Sequence, residues 1–285
     1  MTTLTIATAA PGRLLPYLNP ITLTRGLWSV RGLTYRLALR EVEARYRGSL
    51  LGGVWAFVTP LVLLLVYTMV FGVLFQSRWP HAPDTGLGGF ALALFCGLIP
   101  VNVFNECVTR SPALILAVPH YVKRVVFPLE ILPWIAMLSA LFHSAVSLAI
   151  WFTFAAVSGI GVSATALYLP LVFVPLVLLT MACSWFLSSV GVYLRDTGHT
   201  VAILTTVLLF LSPIFFPSAA VPAQFRFLIR LNPLTFLVEQ ARAVLTFHSR
   251  PDFSWLAVTT VQNLLCAALA FWWFQKARRG FGDVI

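Results

Sequence analysis

RYRGSLLGGVWAFVTPLVLLLVYTMVFGVLF, residues 45–75, decides the fold of this chain. A basic stretch ending at Arg47 passes Gly48, Gly52 and Gly53 and enters an apolar run with no Asp, Glu, Lys or Arg before Arg78. A helix that crosses a bilayer needs about 20 largely apolar residues. No core element of a soluble domain needs so long an uncharged run. The pattern predicts a surface helix that turns at a glycine elbow and becomes a first membrane crossing.

The rest of the chain has the same character. Of its 285 residues, 59% are hydrophobic and 10% are charged, against roughly 25% charged in a soluble domain. An all-α polytopic membrane protein follows, with one membrane domain and no separate soluble module. The opening MTTLTIATAAPGRLLPYLNP is mixed and broken by proline, so no secretory signal peptide is predicted. Six spans are predicted, near 53–75, 88–108, 131–157, 167–190, 200–217 and 254–275. Helices are the expected element because lipid satisfies no exposed backbone group. The expected organisation is an N-terminal cytoplasmic segment 1–32, a membrane domain 33–275 and a cytoplasmic tail 276–285.

Lys and Arg set the orientation. With the N-terminus cytoplasmic, 14 of the 19 basic residues fall on that side, the positive-inside pattern. The net charge of +10 therefore lies beside apolar spans, which argues against nucleic acid as a partner. Segment 218–250 tests the count. It holds two short amphipathic pieces, Phe225–Leu231 and Leu234–Phe247, split by Asn232-Pro233. Each of its four arginines would cost roughly 3 kcal/mol at mid-bilayer. A re-entrant dip from the outer side, between spans five and six, is expected instead.

Residues 33–47 fit a helix. Tyr35, Leu39, Val42 and Tyr46 share one stripe, and Arg36, Arg40, Glu43 and Arg47 share another. Glu41 with Arg45, and Glu43 with Arg47, are spaced as supporting i,i+4 pairs. This helix can lie on an anionic leaflet, serve as a docking surface, or both. After span two, Ser111-Pro112 reads as a helix start, and Pro119 as its end. A second short basic piece, Val122–Phe127 with Lys123 and Arg124, is closed by Pro128. Arg195-Asp196 can cap a helix end.

Chemistry is sparse. Neither lysine, Lys123 or Lys276, follows a glycine, so a GxxxxGK[ST] phosphate loop is impossible. Cys96, Cys107, Cys183 and Cys266 form no CxxC pair and read as small buried hydrophobes. No metal site is expected. His143 in span three reads as a hydrogen-bonded packing residue, and Glu106 and Glu130 sit near inner span ends. Uphill work must draw on another subunit or on an ion gradient.

Several ordered blocks resemble the membrane subunit of type-2 ABC exporters, in the branch that exports polysaccharides. Arg45, Tyr46, Arg47, Ser49, Leu51, Gly52, Trp55, Ala56 and Pro60 are similar to that branch's entry pattern. KRVVFPLEILP (123–133), Tyr193–Asp196, LSPIFFPSAAVP (211–222) and RLNPLTFLVEQARAVL (230–245) resemble its later blocks. The resemblance implies a homodimer in a bacterial inner membrane, both termini cytoplasmic, with two copies of a separate ATP-binding subunit that carries ATP-Mg. This chain would then be a transport subunit without an ATPase site of its own. Arg36, Arg40, Glu43, Arg47, His120, Tyr121, Lys123 and Arg124 become the docking residues. Trp55, Phe57, Tyr67, Phe71, Phe210, Phe215 and Phe216, on spans one and five, become path-lining aromatics. The implied substrate is a lipid-linked polysaccharide such as O-antigen or capsule, with periplasmic export components as further partners. Alternatives are a related exporter of a small amphiphile or drug, an ion-coupled lipid-glycan flippase, or a membrane-embedded glycosyl- or acyltransferase.

Overall fold

A computed structural model describes residues 28–75, 86–123 and 127–285. Arg13, Arg25, Arg78 and Arg124, with the expectations resting on them, lie outside these residues. Among the described residues every regular element is helical.

Five stretches are long and apolar enough to cross a membrane: Gly52–Leu74, Leu87–Ala113, Leu129–Val157, Ala164–Tyr193 and Phe253–Val284. Their helical cores follow the interface helix α1 (Arg31–Tyr46) as α2 (Trp55–Tyr67), α3 (Leu87–Arg110), α5 (Leu132–Val157), α6 (Leu169–Tyr193) and α10 (Phe253–Ala277). The short helix α4 (Pro119–Lys123) joins α3 to α5. The expected span near 200–217 is a shorter apolar helix, α7 (Thr197–Leu211), of 15 residues. It stops where Pro213 drives Ser212 into extended geometry, φ −80° and ψ 142°.

The helix α3 is the hub. Every residue from Gly89 to Val101 is buried, as expected for a helix apolar on all sides. Trp151 of α5, fully buried, donates its indole N–H to the Leu92 carbonyl at 3.1 Å. The helix α10 packs along α6, where Asn263 donates to the Pro175 carbonyl at 3.0 Å. By contrast α2 buries only Ala56 and Leu64. It ends in a π-helical segment, Thr68–Leu74, closed by Phe75 N–H to the Val70 carbonyl at 3.0 Å.

Segment 218–250 forms α8 (Arg226–Leu231) and α9 (Pro233–Leu245), split at Asn232 as expected. The Asn232 Oδ1 caps α9 by accepting from Leu234 N–H at 2.9 Å, and its Nδ2 donates to Ser212 Oγ at 2.8 Å. The α9 helix meets the start of α3, while α1 meets its other end at Arg110. The α8–α9 pair and the Arg-rich helix therefore occupy opposite ends of the bundle.

Three local expectations are corrected. Ser111-Pro112 starts no new helix: Ser111 Oγ donates back to the Cys107 carbonyl at 2.7 Å and the chain continues into a 3-10 turn. Pro119 opens α4 rather than closing its predecessor, since a first-turn proline gives up only a donor that no helix uses. Asp196 precedes α7 without a side-chain cap bond. The close approach of that 3-10 turn to α6 is possible because residue 191 is glycine; a Cβ there would lie 2.3 Å from the Pro112 carbonyl oxygen. Among the cysteines, Cys96 and Cys107 are buried and Cys183 is partly so, but Cys266 is exposed on α10.

Candidate functional site

At the Arg-rich end, α1 is held by charge. Arg45 pairs with Glu106 of α3, and Glu41 pairs with Arg110 of the same helix. His143 of α5 places Nδ1 3.0 Å from both Glu106 oxygens and 3.4 Å from Arg45. Tyr46 sets its ring edge-on to His143 at 6.0 Å. Burial raises the Tyr46 phenol pKa against the lowering pull of Arg45, so the group stays a neutral hydroxyl. The i,i+4 pair expected between Glu41 and Arg45 is thus replaced by two bridges to α3.

Those bridges set the rotation of α1. Its packed side carries Thr34 and Ala38, with Leu37 partly buried. Tyr35 and Leu39 are exposed, so the apolar stripe read from periodicity is not the packed one. Buried carboxylates demand basic partners, and that need outweighs the burial of a few apolar groups. Arg36, Arg40, Glu43 and Arg47 consequently face outward and exposed.

The second group expected to dock a partner lies on and just beyond α4. His120 and Tyr121 are exposed, and the Tyr121 ring stacks on Phe127 at 4.5 Å. Lys123 is the last residue of α4, and Arg124 falls outside the described residues. The C-terminal turn braces this region. Arg278 donates to Glu130 at 2.7 Å and to the Phe127 carbonyl at 3.1 Å. Phe281 is fully buried beside Phe274 and Tyr193. Glu106 pairs with Arg45 and His143 while Glu130 pairs with Arg278, so these two carboxylates are held apart by different bases.

The aromatics of spans one and five divide into two groups. Tyr67, Phe71, Phe210 and Phe215 converge: Phe71 stacks on Phe215 at 4.4 Å, Tyr67 meets it edge-on at 5.2 Å, and Phe210 lies 5.9 Å from it. Phe75, which composition did not single out, extends the stack from Phe71 at 5.8 Å. Phe215 itself is only 3% exposed, a packing centre rather than a free wall. Phe216 is half-buried outside these ring contacts, and Trp55 and Phe57 stand exposed at the other end of α2.

Behind Phe215, Arg242 of α9 is 2% exposed. It donates Nε to the Ala93 carbonyl at 3.0 Å and Nη2 to the Pro213 carbonyl at 2.9 Å. Gly97 leaves room for it; a Cβ there would lie 2.7 Å from Nη2. Charge counting treated this arginine only as a cost. The Pro213 carbonyl, just past the end of α7, and the Ala93 carbonyl of α3 accept its hydrogen bonds.

Five apolar spans, a charge-clamped Arg-rich helix and a short helix pair at the opposite end define a multi-pass membrane protein. Residues 33–246 match the ABC-2 type transporter family, and the chain belongs to it. It is similar to the O-antigen export system permease protein RfbA of Myxococcus xanthus, 27% identical over 267 residues, 93% of this chain and 100% of that one. The RfbA of Klebsiella pneumoniae is 21% identical across 86% of this chain and 92% of its own. The polysialic acid transport protein KpsM of Escherichia coli is 28% identical across 72% and 78% respectively.

Proposed function

We propose that this chain is the membrane permease of an ATP-driven exporter that moves a lipid-linked polysaccharide across a bacterial inner membrane. The observation that carries the reading is similarity across most of the chain to relatives named for two different polysaccharides, O-antigen and polysialic acid. A related exporter of small amphiphiles has no such support.

Two copies of the chain would pair through the faces that α2 and α7 leave uncovered, with both termini in the cytoplasm. Two ATP-binding subunits, holding ATP-Mg, would dock on Arg36, Arg40, Glu43 and Arg47 of α1 and on His120–Arg124. Closure of the ATPase pair would push on α1, and the bridges to Glu106 and Arg110 would pass that push to α3. The rings of Tyr67, Phe71 and Phe210 would give a moving sugar chain apolar C–H contacts without a deep well. The exposed basic face of α1 and the aromatic junction of spans one and five support this plan.

The test is reconstitution with the matched ATP-binding subunit and the native glycolipid. ATP-dependent appearance of polymer inside inverted vesicles is expected. Transport that continues without nucleotide and stops with an uncoupler would replace this reading with an ion-coupled flippase.

A further inference from the structure

Residues 278–285 fold back on the bundle. The helix α10 has by then used 25 residues, enough for a full crossing of the hydrocarbon. Near its end the Lys276 ammonium lies 5.4 Å from the Trp272 ring centre, and Arg278 and Arg279 follow. Tryptophan beside Lys and Arg marks a membrane–water boundary, so the turn beyond, α11 (Phe281–Val284), lies outside the hydrocarbon. Tyr193 Oη donates to the Ala277 carbonyl at 2.8 Å, and nearby Gly191 abuts Pro112, just past Arg110. Since Arg110 pairs with Glu41 of α1, α11 sits at the Arg-rich end.

The two faces of α11 differ. Phe281 is fully buried, with ring centres 5.9 Å from Phe274 and 6.0 Å from Tyr193. Gly280 permits the fold-back; a Cβ there would lie 2.6 Å from the Tyr193 hydroxyl oxygen. The other face shows Asp283 and Val284 to the outside, with Arg279 next to it, and Val284 is 46% exposed. The helix α4 is mounted on this turn. It packs against α11, its Tyr121 ring stacks on Phe127, and Arg278 donates to the Phe127 carbonyl and to Glu130. A body that reaches exposed His120 and Tyr121 therefore meets α11 as well.

The chemistry of this surface selects its partner. An anionic leaflet recruits Lys and Arg, whereas here Asp283 stands among His120 and Arg279. Exposed apolar area at Tyr121 and Val284 within a polar rim is the anatomy of a protein interface. The anchor at Phe281 also holds the turn in place beforehand, which spares the ordering cost that a loose segment bears on binding.

Resting on the ATP-driven reading above, we propose that α11 joins α4 in one docking surface for the ATP-binding subunit. Val284 supplies an apolar contact beside Tyr121, and Asp283 pairs with a basic side chain of that subunit.

The test uses the full-length chain co-expressed with its matched ATP-binding subunit. The photo-crosslinker p-benzoylphenylalanine is placed in turn at Val284, at Tyr121 and at Leu167, which is 82% exposed near α9 at the opposite end. Val284 and Tyr121 should each give an adduct with the ATP-binding subunit, and Leu167 none. Asp283→Lys combined with Val284→Asp should weaken binding of the subunit about tenfold, while Asp283→Glu should keep it. Both side chains are exposed, so the thermal unfolding midpoint should stay in place. An adduct at Tyr121 but not at Val284, or undiminished binding by the double variant, would overturn the α11 contact and leave the ATPase reading standing. Adducts at Val284 with phospholipid alone would assign the turn to the membrane surface and overturn it likewise. No adduct at either position, with no co-purification by the unaltered chain, would sink the ATPase reading and this surface with it.

Discussion

Arg242 holds a guanidinium where water does not reach, and it does so on main-chain carbonyls of two other elements. Hydrogen bonds to charged donors are among the stronger ones in proteins. Arg242→Met should therefore destabilise the bundle by about 2–4 kcal/mol, because the Ala93 and Pro213 carbonyls lose their charged donor. Thermal unfolding of the detergent-solubilised protein measures this, and Gly97→Val should act in the same direction by evicting the guanidinium. None of it was legible in the sequence. Ala93 and Pro213 stand 149 and 29 residues from Arg242, and no local pattern points from one to the other. His143 carries the same lesson. Read alone it is an isolated span histidine; its partner Glu106 is 37 residues away. A signal did exist, because an acid near the end of a span needs a base and Arg45 is one of few available.

Helices were legible where the chain carries its own punctuation. Asn232-Pro233 combines a cap with a first-turn proline, and the two pieces of the dip fell within two residues of expectation. Asn232→Ala removes both the cap and the bond to Ser212, so it should cost about 1–2 kcal/mol, read as a lower unfolding midpoint. Rotation of a helix about its axis is another matter. Periodicity gave α1 an apolar stripe, but two salt bridges chose a different face. They also left Arg36, Arg40 and Arg47 outward, where the proposed docking needs them. Charge reversal of Arg40 together with Arg47 should sharply reduce co-purification of the ATP-binding subunit while membrane insertion stays intact. Unchanged recovery would remove α1 from that interface.

Across the whole molecule, crossings and loop order follow from hydropathy, because the bilayer imposes one length on every span. The expected fifth span is the exception: α7 falls short of a full crossing because Pro213 ends it, a stop that hydropathy alone passes over. Distant ends of the chain also meet. The tail closes over α4 through Arg278, Glu130 and Phe281, a union no sequence window contains. Arg278→Ala should leave the spans inserted, with a stability cost of at most about 1 kcal/mol for so exposed a pair. It should nonetheless speed limited proteolysis between α4 and α5, and Arg278→Lys should partly restore protection.

The π-helical end of α2 has a mechanical consequence. An i→i+5 turn takes up one more residue than an i→i+4 turn, so Thr68–Leu74 stores a spare link of chain inside the first crossing. Tightening that loop to ordinary pitch would swing the side chains beyond it by about 100°, one residue's share of a 3.6-residue turn. Phe75, beyond the segment, would roll off Phe71, and the stack on Phe215 would loosen with it. The first crossing thus carries a ratchet tooth of its own, able to advance one notch without melting.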